Sequence, residues 1–190
     1  MLGDIAKMPN VIALSFHVDY WNNGGWHDKF TLNGATDRQR AYAQKLKVSE
    51  VFTPQVVIDG SSSLVGSDKA KILGALANAN TETVPVTVAV SDGTLNVSVP
   101  DSPSHEKYTV FVAAYLPQAS TPVGRGENTG KSLEEFNIVR QFRSIGNWKG
   151  QAAVFRASVQ SFPADASRVA VLVQRADQGP IAGSATIALR

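Results

Sequence analysis

Cysteine is absent from the 190 residues of this chain. Its absence excludes disulfide bonds, thiolate metal sites and dithiol redox chemistry by this chain alone. The cellular compartment stays open, because exported and cytosolic proteins can both lack cysteine.

Long apolar runs and a strong charge of one sign are also missing. No run is long enough to span a membrane, and the start of the chain carries no signal-peptide pattern. Eighteen basic residues stand against sixteen acidic ones, and most of the basic residues are scattered. The sequence therefore predicts neither a membrane span nor a nucleic-acid partner.

What is present is the composition of an ordinary folded protein, with 43% apolar and 18% charged residues. The first eighty residues mix helical and strand-like patterns. We expect a helix at the very start, a buried strand over 11–16 that continues to 18, and a helix over 38–47 capped by Thr36 or Asp37. A hairpin formed by 56–58 and 64–66, and then a helix over 69–79, complete this part.

The stretch from Val51 to Gly60 gives the most specific prediction of local backbone structure in this sequence. Pro54 has no N–H to donate, so it belongs at the first residue of a strand. The strand ends at Asp59-Gly60, a turn pair that tolerates positive φ. The Thr53–Pro54 bond is either an ordinary trans bond or a cis bond, and trans is commoner for an isolated X-Pro.

From residue 84 the apolar period changes to two. Two alternating runs flank Ser91-Asp92-Gly93 and predict a hairpin. The further predicted strands are Tyr108–Leu116, part of Asn137–Ile145, Ala152–Val159, Arg168–Gln174 and Ser184–Leu189. Many short strands separated by turns predict an all-β sandwich over residues 84–190. A small polar stretch over 77–83 is interpreted as the linker to a first domain over residues 1–80.

Polar and aromatic side chains follow the strand over 11–18. His17 and Asp19 are two apart and share a face of a strand, and Trp21 and Trp26 follow them. They are candidates for the wall of a pocket beside Pro54; the alternative is a satisfied polar pair with tryptophans packed over it. A His-x-Asp pair supplies only two metal ligands, so we predict no metal site and no catalytic residue.

The Gly-rich stretch over 124–132 ends in Gly130-Lys131-Ser132 and resembles a phosphate-binding loop only in part. The motif needs a glycine five positions before Gly130, and Arg125 stands there. We therefore predict no nucleotide and no other cofactor, and interpret Glu127 and Asn128 as holding a local turn.

Three segments together resemble a bacterial thioredoxin-like family, generally exported, that is catalogued only as a domain of unknown function. These segments are Phe16–Trp21 with Gly25-Trp26, Thr53–Val57, and Arg125–Asn128 with Gly130. The resemblance covers nearly the whole chain. It implies an α/β thioredoxin-like domain, N-terminally incomplete, followed by the all-β sandwich.

The resemblance implies further that Thr53–Pro54 is the family's cis-proline position, where the backbone pairs with an extended peptide substrate. Family members carry a Cys-x-x-Cys-Pro segment upstream, and this chain begins after the point where that segment would end. We therefore expect a shortened form, without redox activity as it stands, of an extracytoplasmic thiol–disulfide oxidoreductase-like protein. The alternative is a non-catalytic extracytoplasmic binding or structural protein.

A structural expectation follows from the missing segment. In the resembled fold the absent strand lies between 11–18 and 55–58. We expect Gln55–Ile58 to lack a partner on one side, leaving a gap or borrowing a strand from a neighbouring chain.

Overall fold

The computed structural model describes residues 1–22, 27–79, 84–103, 106–123, 130 and 132–190. The helices within these residues are α1 (Leu2–Ile5), α2 (Ala35–Lys45) and α3 (Lys69–Ala77), with one 3-10 turn at Val159–Ser161. The strands are β1 (Gln55–Ile58), β2 (Ser62–Val65), β3 (Thr87–Ser91), β4 (Thr94–Val99), β5 (Tyr108–Pro122), β6 (Ser132–Trp148), β7 (Ala153–Ser158), β8 (Arg168–Arg175) and β9 (Ile181–Ala188).

The strands form three antiparallel sheets, with the orders β1-β2, β3-β4-β7 and β6-β5-β8-β9. The described residues are 43% strand and 16% helix. The predicted fold class, which placed an α/β thioredoxin-like domain first, is therefore wrong. The strands found within residues 1–79 form only a two-stranded antiparallel hairpin, whereas an α/β domain needs parallel strands covered by helices.

The error arises at the apolar run over 11–18, which was predicted to be a buried strand. Ser15 makes a single parallel bridge to Ile138 of β6, and the other described residues of the run belong to no strand or helix. Its side chains are half-buried on the sheet below. The apolar pattern correctly indicated burial, but it does not specify which strand supplies the backbone partners.

Both hairpin predictions are confirmed. Asp59 and Gly60 adopt φ values of 47° and 66° between β1 and β2, and Asp92 and Gly93 adopt 49° and 68° between β3 and β4. Two successive residues with positive φ match the right-handed twist of the flanking strands. Turn chemistry is local, so it can be predicted from the sequence.

The two larger sheets pack face to face across one apolar core, the arrangement of a β-sandwich. Leu95 and Val97 of β4 lie in this core with Val110 and Val112 of β5 and Val171 of β8, all fully buried. The proposed division into residues 1–80 and 84–190 stays a prediction, and its boundary lies partly in residues outside those described.

The four-stranded sheet is buried on its other face as well. Ala113 and Tyr115 of β5 and Ala170 of β8 pack there against Leu32, Ala35 and the half-buried side chains of 11–18. Because both faces are covered, β5 and β8 are apolar at successive positions rather than at alternate ones. This sheet is the middle layer of the molecule.

Strands β5 and β6 are longer than predicted. Residues 108–115 of β5 pair with both β6 and β8, whereas residues 116–122 pair with β6 alone. The two strands thus continue past β8 as a two-stranded arm. Helix α1 and Ser15 both lie against the β6 part of this arm, with Gly3 directly beside the Phe136 ring.

Helix α2 begins at Ala35, three residues before the predicted start, with Gly34 at its N-cap. Arg38, one turn into the helix, fixes it to the middle sheet. The guanidinium lies 4.4 Å from the ring centroid of Phe142, and it donates to Gln174 Oε1 at 2.8 Å and Gln178 Oε1 at 2.9 Å. Burial lowers the pKa of this guanidinium, yet the aromatic faces and amide oxygens keep the charge compensated.

We predict that Arg38→Ala lowers the free energy of unfolding by about 2–4 kcal/mol, because it removes the cation–π contacts and leaves buried amide oxygens without donors. Arg40→Ala is the matched control. Its side chain is 62% exposed and, among the described residues, forms an ion pair with Asp37, so a change within about 0.5 kcal/mol is expected. Urea unfolding measures both, and equal losses in the two variants would contradict the role of Arg38.

Helix α3 lies beside β1 and begins at an aspartate cap. Asp68 Oδ1 accepts the backbone N–H of Lys71 at 3.1 Å, and this hydrogen bond is the main cause of a lowered pKa for the Asp68 carboxyl. A lowered pKa in the folded state stabilises the fold above the unfolded value and is lost as the pH falls through the folded value.

We predict that Asp68→Ala destabilises the protein at neutral pH and that its deficit relative to wild type shrinks as the pH falls below about 4. Asp68→Asn keeps a capping oxygen without the charge, so its deficit should be smaller than that of Asp68→Ala at each pH, and it should shrink in parallel because neither variant titrates at this position. Urea titrations across the acid range test this. A deficit for Asp68→Ala that is the same at both ends of the range would refute it.

Candidate functional site

The start of β1 is exposed at the surface. The Thr53–Pro54 peptide bond is cis, and both residues are exposed. Gly66, directly after β2, donates its N–H to the Pro54 carbonyl at 2.6 Å. A Cβ at Gly66 would lie 2.7 Å from the Pro54 Cβ, so the close return of the chain requires glycine there.

Trp21 lies against this strand start. Its indole N–H donates to Thr53 Oγ1 at 2.8 Å, while 65% of the residue remains exposed. The side chain of Gln39 in α2 bonds to the residues that precede Trp21 and Thr53 in the chain. Its oxygen accepts the Tyr20 hydroxyl at 3.0 Å, and its amide donates to the Phe52 carbonyl at 2.8 Å. The structure thus brings three of the predicted site residues together: Trp21, Thr53 and Pro54.

His17 makes its polar contacts elsewhere. Its Nδ1 lies 2.6 Å from Asp28 Oδ2, and its Nε2 lies 3.8 Å from Glu135 Oε1 on the arm. The side chain is 14% exposed and lines a cavity of about 300 Å³ together with Ser15 and Glu135. None of the contacts found for His17 within the described residues joins it to Thr53 or Pro54.

Asp19 is held by helix α2. Its Oδ1 accepts the Thr36 hydroxyl at 2.6 Å, and its backbone N–H donates to the same hydroxyl oxygen at 3.3 Å. Thr36 therefore fixes the loop that leads into Trp21 instead of capping its own helix. His17 and Asp19 are each satisfied by a separate partner, not by one another.

Trp26, the remaining predicted site residue, lies outside the described residues, as do Glu127 and Asn128 of the Gly-rich stretch. Among the residues that the structure does describe, no group of three or more histidine, aspartate or glutamate side chains is placed to hold a metal ion.

Within the described part of the chain, the ladder partner found for strand β1 is β2, on one of its two edges. Gly66 bonds to Pro54 across the hairpin, so the hydrogen-bonded pairs continue at Val56 and Ile58. Gln55 and Val57 occupy the alternate pairs and direct their backbone groups to the other edge. No backbone bond from another described residue reaches Gln55 or Val57 there, although the Ile181 N–H donates to the Asp59 carbonyl at 2.9 Å directly after the strand.

A second incomplete edge runs along 11–18. Ser15 uses its N–H and its carbonyl to bond to Asn137 and Val139 of β6, both at 2.9 Å. In a parallel pairing the flanking Leu14 and Phe16 direct their backbone groups to the opposite side. The described residues provide no backbone partner for them there.

The sequence profile of a family described as "Protein of unknown function (DUF1223)" matches residues 1–174. The chain belongs to this family. No curated protein sequence matches it. A crystal structure of a protein from Agrobacterium tumefaciens is similar to it, with a TM-score of 0.75 and 22% sequence identity over 93% of this chain and 80% of that one. At this identity the likeness shows a shared fold alone.

Other features bear on this DUF1223 protein. No helix in the described residues is long and apolar enough to cross a membrane.

Four residues that organise the site were missed in the sequence: Asp28, Thr36, Gln39 and Glu135. The only signal they carried was a polar side chain near a predicted helix or loop, because their partners are distant in the chain.

We predict that Thr36→Val lowers the free energy of unfolding by about 1–3 kcal/mol. It removes a buried hydroxyl that donates to the Asp19 carboxylate and accepts the Asp19 backbone N–H. Thr109→Val is the control, since the Thr109 hydroxyl bonds to Asn147 at an exposed position. Its expected change is within about 0.5 kcal/mol. Urea unfolding measures both variants; a loss in Thr36→Val no larger than in the control would show that the contact is dispensable.

Proposed function

We propose that this DUF1223 protein is a non-catalytic binding protein for an extended polypeptide segment. The binding site is the Trp21 surface, which we define as Trp21, Val51, Thr53 and Pro54. The observation that carries the proposal is an indole that is fixed in position and yet left exposed beside a strand start.

The exposure of the Trp21 surface supports binding. Trp21 is 65% and Val51 38% exposed, and Thr53 and Pro54 are exposed beside them. A large aromatic side chain in water together with apolar neighbours is typical of an interaction surface, and tryptophan is enriched among the residues that dominate binding energy.

The rigidity of the surface supports it as well. The Trp21 N–H is held by Thr53, and Gln39 holds Tyr20 and Phe52 on either side of that contact. A side chain that is already ordered loses less conformational entropy when a partner binds. These hydrogen bonds therefore favour binding by fixing Trp21 in advance, although they do not themselves contact the partner.

Thiol–disulfide exchange is the second candidate, and it rests on the thioredoxin-like resemblance. It requires a cysteine pair, which this chain lacks. A form of the protein that carries an upstream Cys-x-x-Cys segment would be needed to test it by insulin reduction, and no turnover with the pair present would eliminate it. The same resemblance favours an extracytoplasmic location under either candidate.

We predict that Trp21→Ala weakens binding of reduced, carboxymethylated α-lactalbumin, a permanently unfolded polypeptide, by about tenfold or more. Fluorescence anisotropy of the labelled polypeptide measures the affinity. Urea unfolding should show little change for Trp21→Ala, because the side chain is mostly in water.

Val154→Ala is the matched control for this experiment. Val154 lies on β7, is 49% exposed and belongs to a different sheet, so binding should be unchanged. The proposed function is eliminated if the wild-type chain does not bind the unfolded polypeptide, or if both variants bind as well as wild type.

A further inference from the structure

We infer that the β8–β9 turn, residues 176–180, regulates the Trp21 surface, and that Gln178 in this turn is a positioning residue for it. The inference rests on the proposed function and concerns the regulation of that same site. It depends on contacts of the turn and not on the surface residues themselves, so the two can fail separately.

The Trp21 surface is built from two segments that are distant in the chain. Trp21 belongs to a loop that side chains of α2 hold in place, whereas Thr53 and Pro54 lead into β1. Gln39 of α2 and the indole of Trp21 each make a hydrogen bond to the second segment. The surface therefore keeps its shape only while α2 and the β1–β2 hairpin hold a fixed relative position.

The turn bonds to α2 through Gln178. The half-buried Gln178 accepts the Arg38 Nη1–H at its Oε1, at 2.9 Å. Arg38 stands beside Gln39 and two residues after Thr36 on the same helix. Because a helix moves as a rigid unit over so short a distance, a displacement of Arg38 moves the side chains that hold the Trp21 loop.

The buried Gln174 of β8 joins the turn to the same helix. Its Nε2 donates to the Gly179 carbonyl and to the Tyr42 hydroxyl, both at 2.8 Å. Its Oε1 accepts the Arg38 Nη2–H at 2.8 Å. The turn, the end of β8 and α2 thus form one hydrogen-bonded unit.

The turn also contacts the β1–β2 hairpin. The Ile181 N–H, directly after the turn, donates to the Asp59 carbonyl at 2.9 Å. A Cβ at Gly60 would lie 2.5 Å from the Gly179 carbonyl oxygen, so the two turns touch through their backbones. One turn therefore holds both of the segments that supply the Trp21 surface.

The backbone of the turn indicates that the side chain of Gln178 has a role. Asp177 and Gln178 adopt φ values of 57° and 55°, in the left-handed region. The β1–β2 and β3–β4 turns place Gly60 and Gly93 at the second such position, where glycine adopts this conformation at the least cost. Glutamine there adds backbone strain and gains the contact with Arg38. Strain of this kind is retained where the surrounding structure requires it, often at functional sites.

The first test measures binding of carboxymethylated α-lactalbumin to variants of the full chain. Gln178→Asn keeps a residue that tolerates the left-handed conformation but shortens the side chain by one methylene, so that it no longer reaches Arg38. Its affinity should fall about fivefold or more. Gln178→Glu keeps an acceptor oxygen at full length and should bind within about twofold of wild type.

Asp177→Asn is the matched control for this test. It introduces the same residue type at the neighbouring left-handed position, where the side chain is exposed, so binding should be unchanged. An equal loss of affinity in Asp177→Asn and Gln178→Asn would overturn the role of the Gln178 side chain. So would an equal loss in Gln178→Glu and Gln178→Asn.

The second test needs no ligand. The indole N–H resonance of Trp21 reports its hydrogen bond to Thr53, and Thr53→Val gives the position of this resonance without the acceptor. Gln178→Asn should shift the resonance toward that position. Val97→Ala removes fully buried atoms from the sandwich core, so it should destabilise the whole chain without moving the resonance. A resonance that Gln178→Asn leaves unmoved would overturn the positioning role.

The outcomes separate this inference from the proposed function. If wild type binds in a Trp21-dependent way, but Gln178→Asn neither weakens binding nor moves the Trp21 resonance, the inference is wrong and the proposed function stands. If Gln178→Asn moves the resonance but wild type does not bind the unfolded polypeptide, the proposed function is wrong, and regulation of that binding by the turn is wrong with it.

Discussion

One buried cation holds the N-terminal part of the molecule to the β-sandwich. Arg38 contacts aromatic rings from three parts of the chain and donates to two glutamine side chains near the β8–β9 turn. No carboxylate neutralises it in the hydrogen bonds and ion pairs found among the described residues. A guanidinium tolerates this environment because its faces stack on rings while its edges reach oxygens. The position of α2 follows from this contact, and α2 in turn positions Asp19 and Phe52.

The middle sheet makes this arrangement possible. Its β5 and β8 strands are covered by the three-stranded sheet on one face and by α2 with residues 11–18 on the other. Its arm supplies the bridge that holds Ser15. The N-terminal residues are therefore ordered by the sandwich and not by a complete sheet of their own. Among the described residues, β1 pairs with β2 alone and the run over 11–18 makes a single bridge to β6.

The candidate site combines satisfied side chains with an unsatisfied backbone. His17, Asp19 and Trp21 each have a defined hydrogen-bond partner, and every buried side-chain polar atom in the described residues is bonded. On the edge of β1 away from β2, by contrast, Gln55 and Val57 have no backbone partner among the described residues.

The sequence by itself determined both tight hairpins, the beginning of β1 directly after Pro54, the β-rich second half and the lack of cysteine in this chain. These features depend on a few neighbouring residues, as in Asp59-Gly60 and Asp92-Gly93. Only the tertiary structure decided that the apolar run over 11–18 lies along β6 instead of within an α/β sheet, and that Trp21 meets Thr53. Hydrophobic periodicity records how far a segment is buried but not which distant segment buries it. The fold class was mispredicted for that reason, whereas the local turns were not.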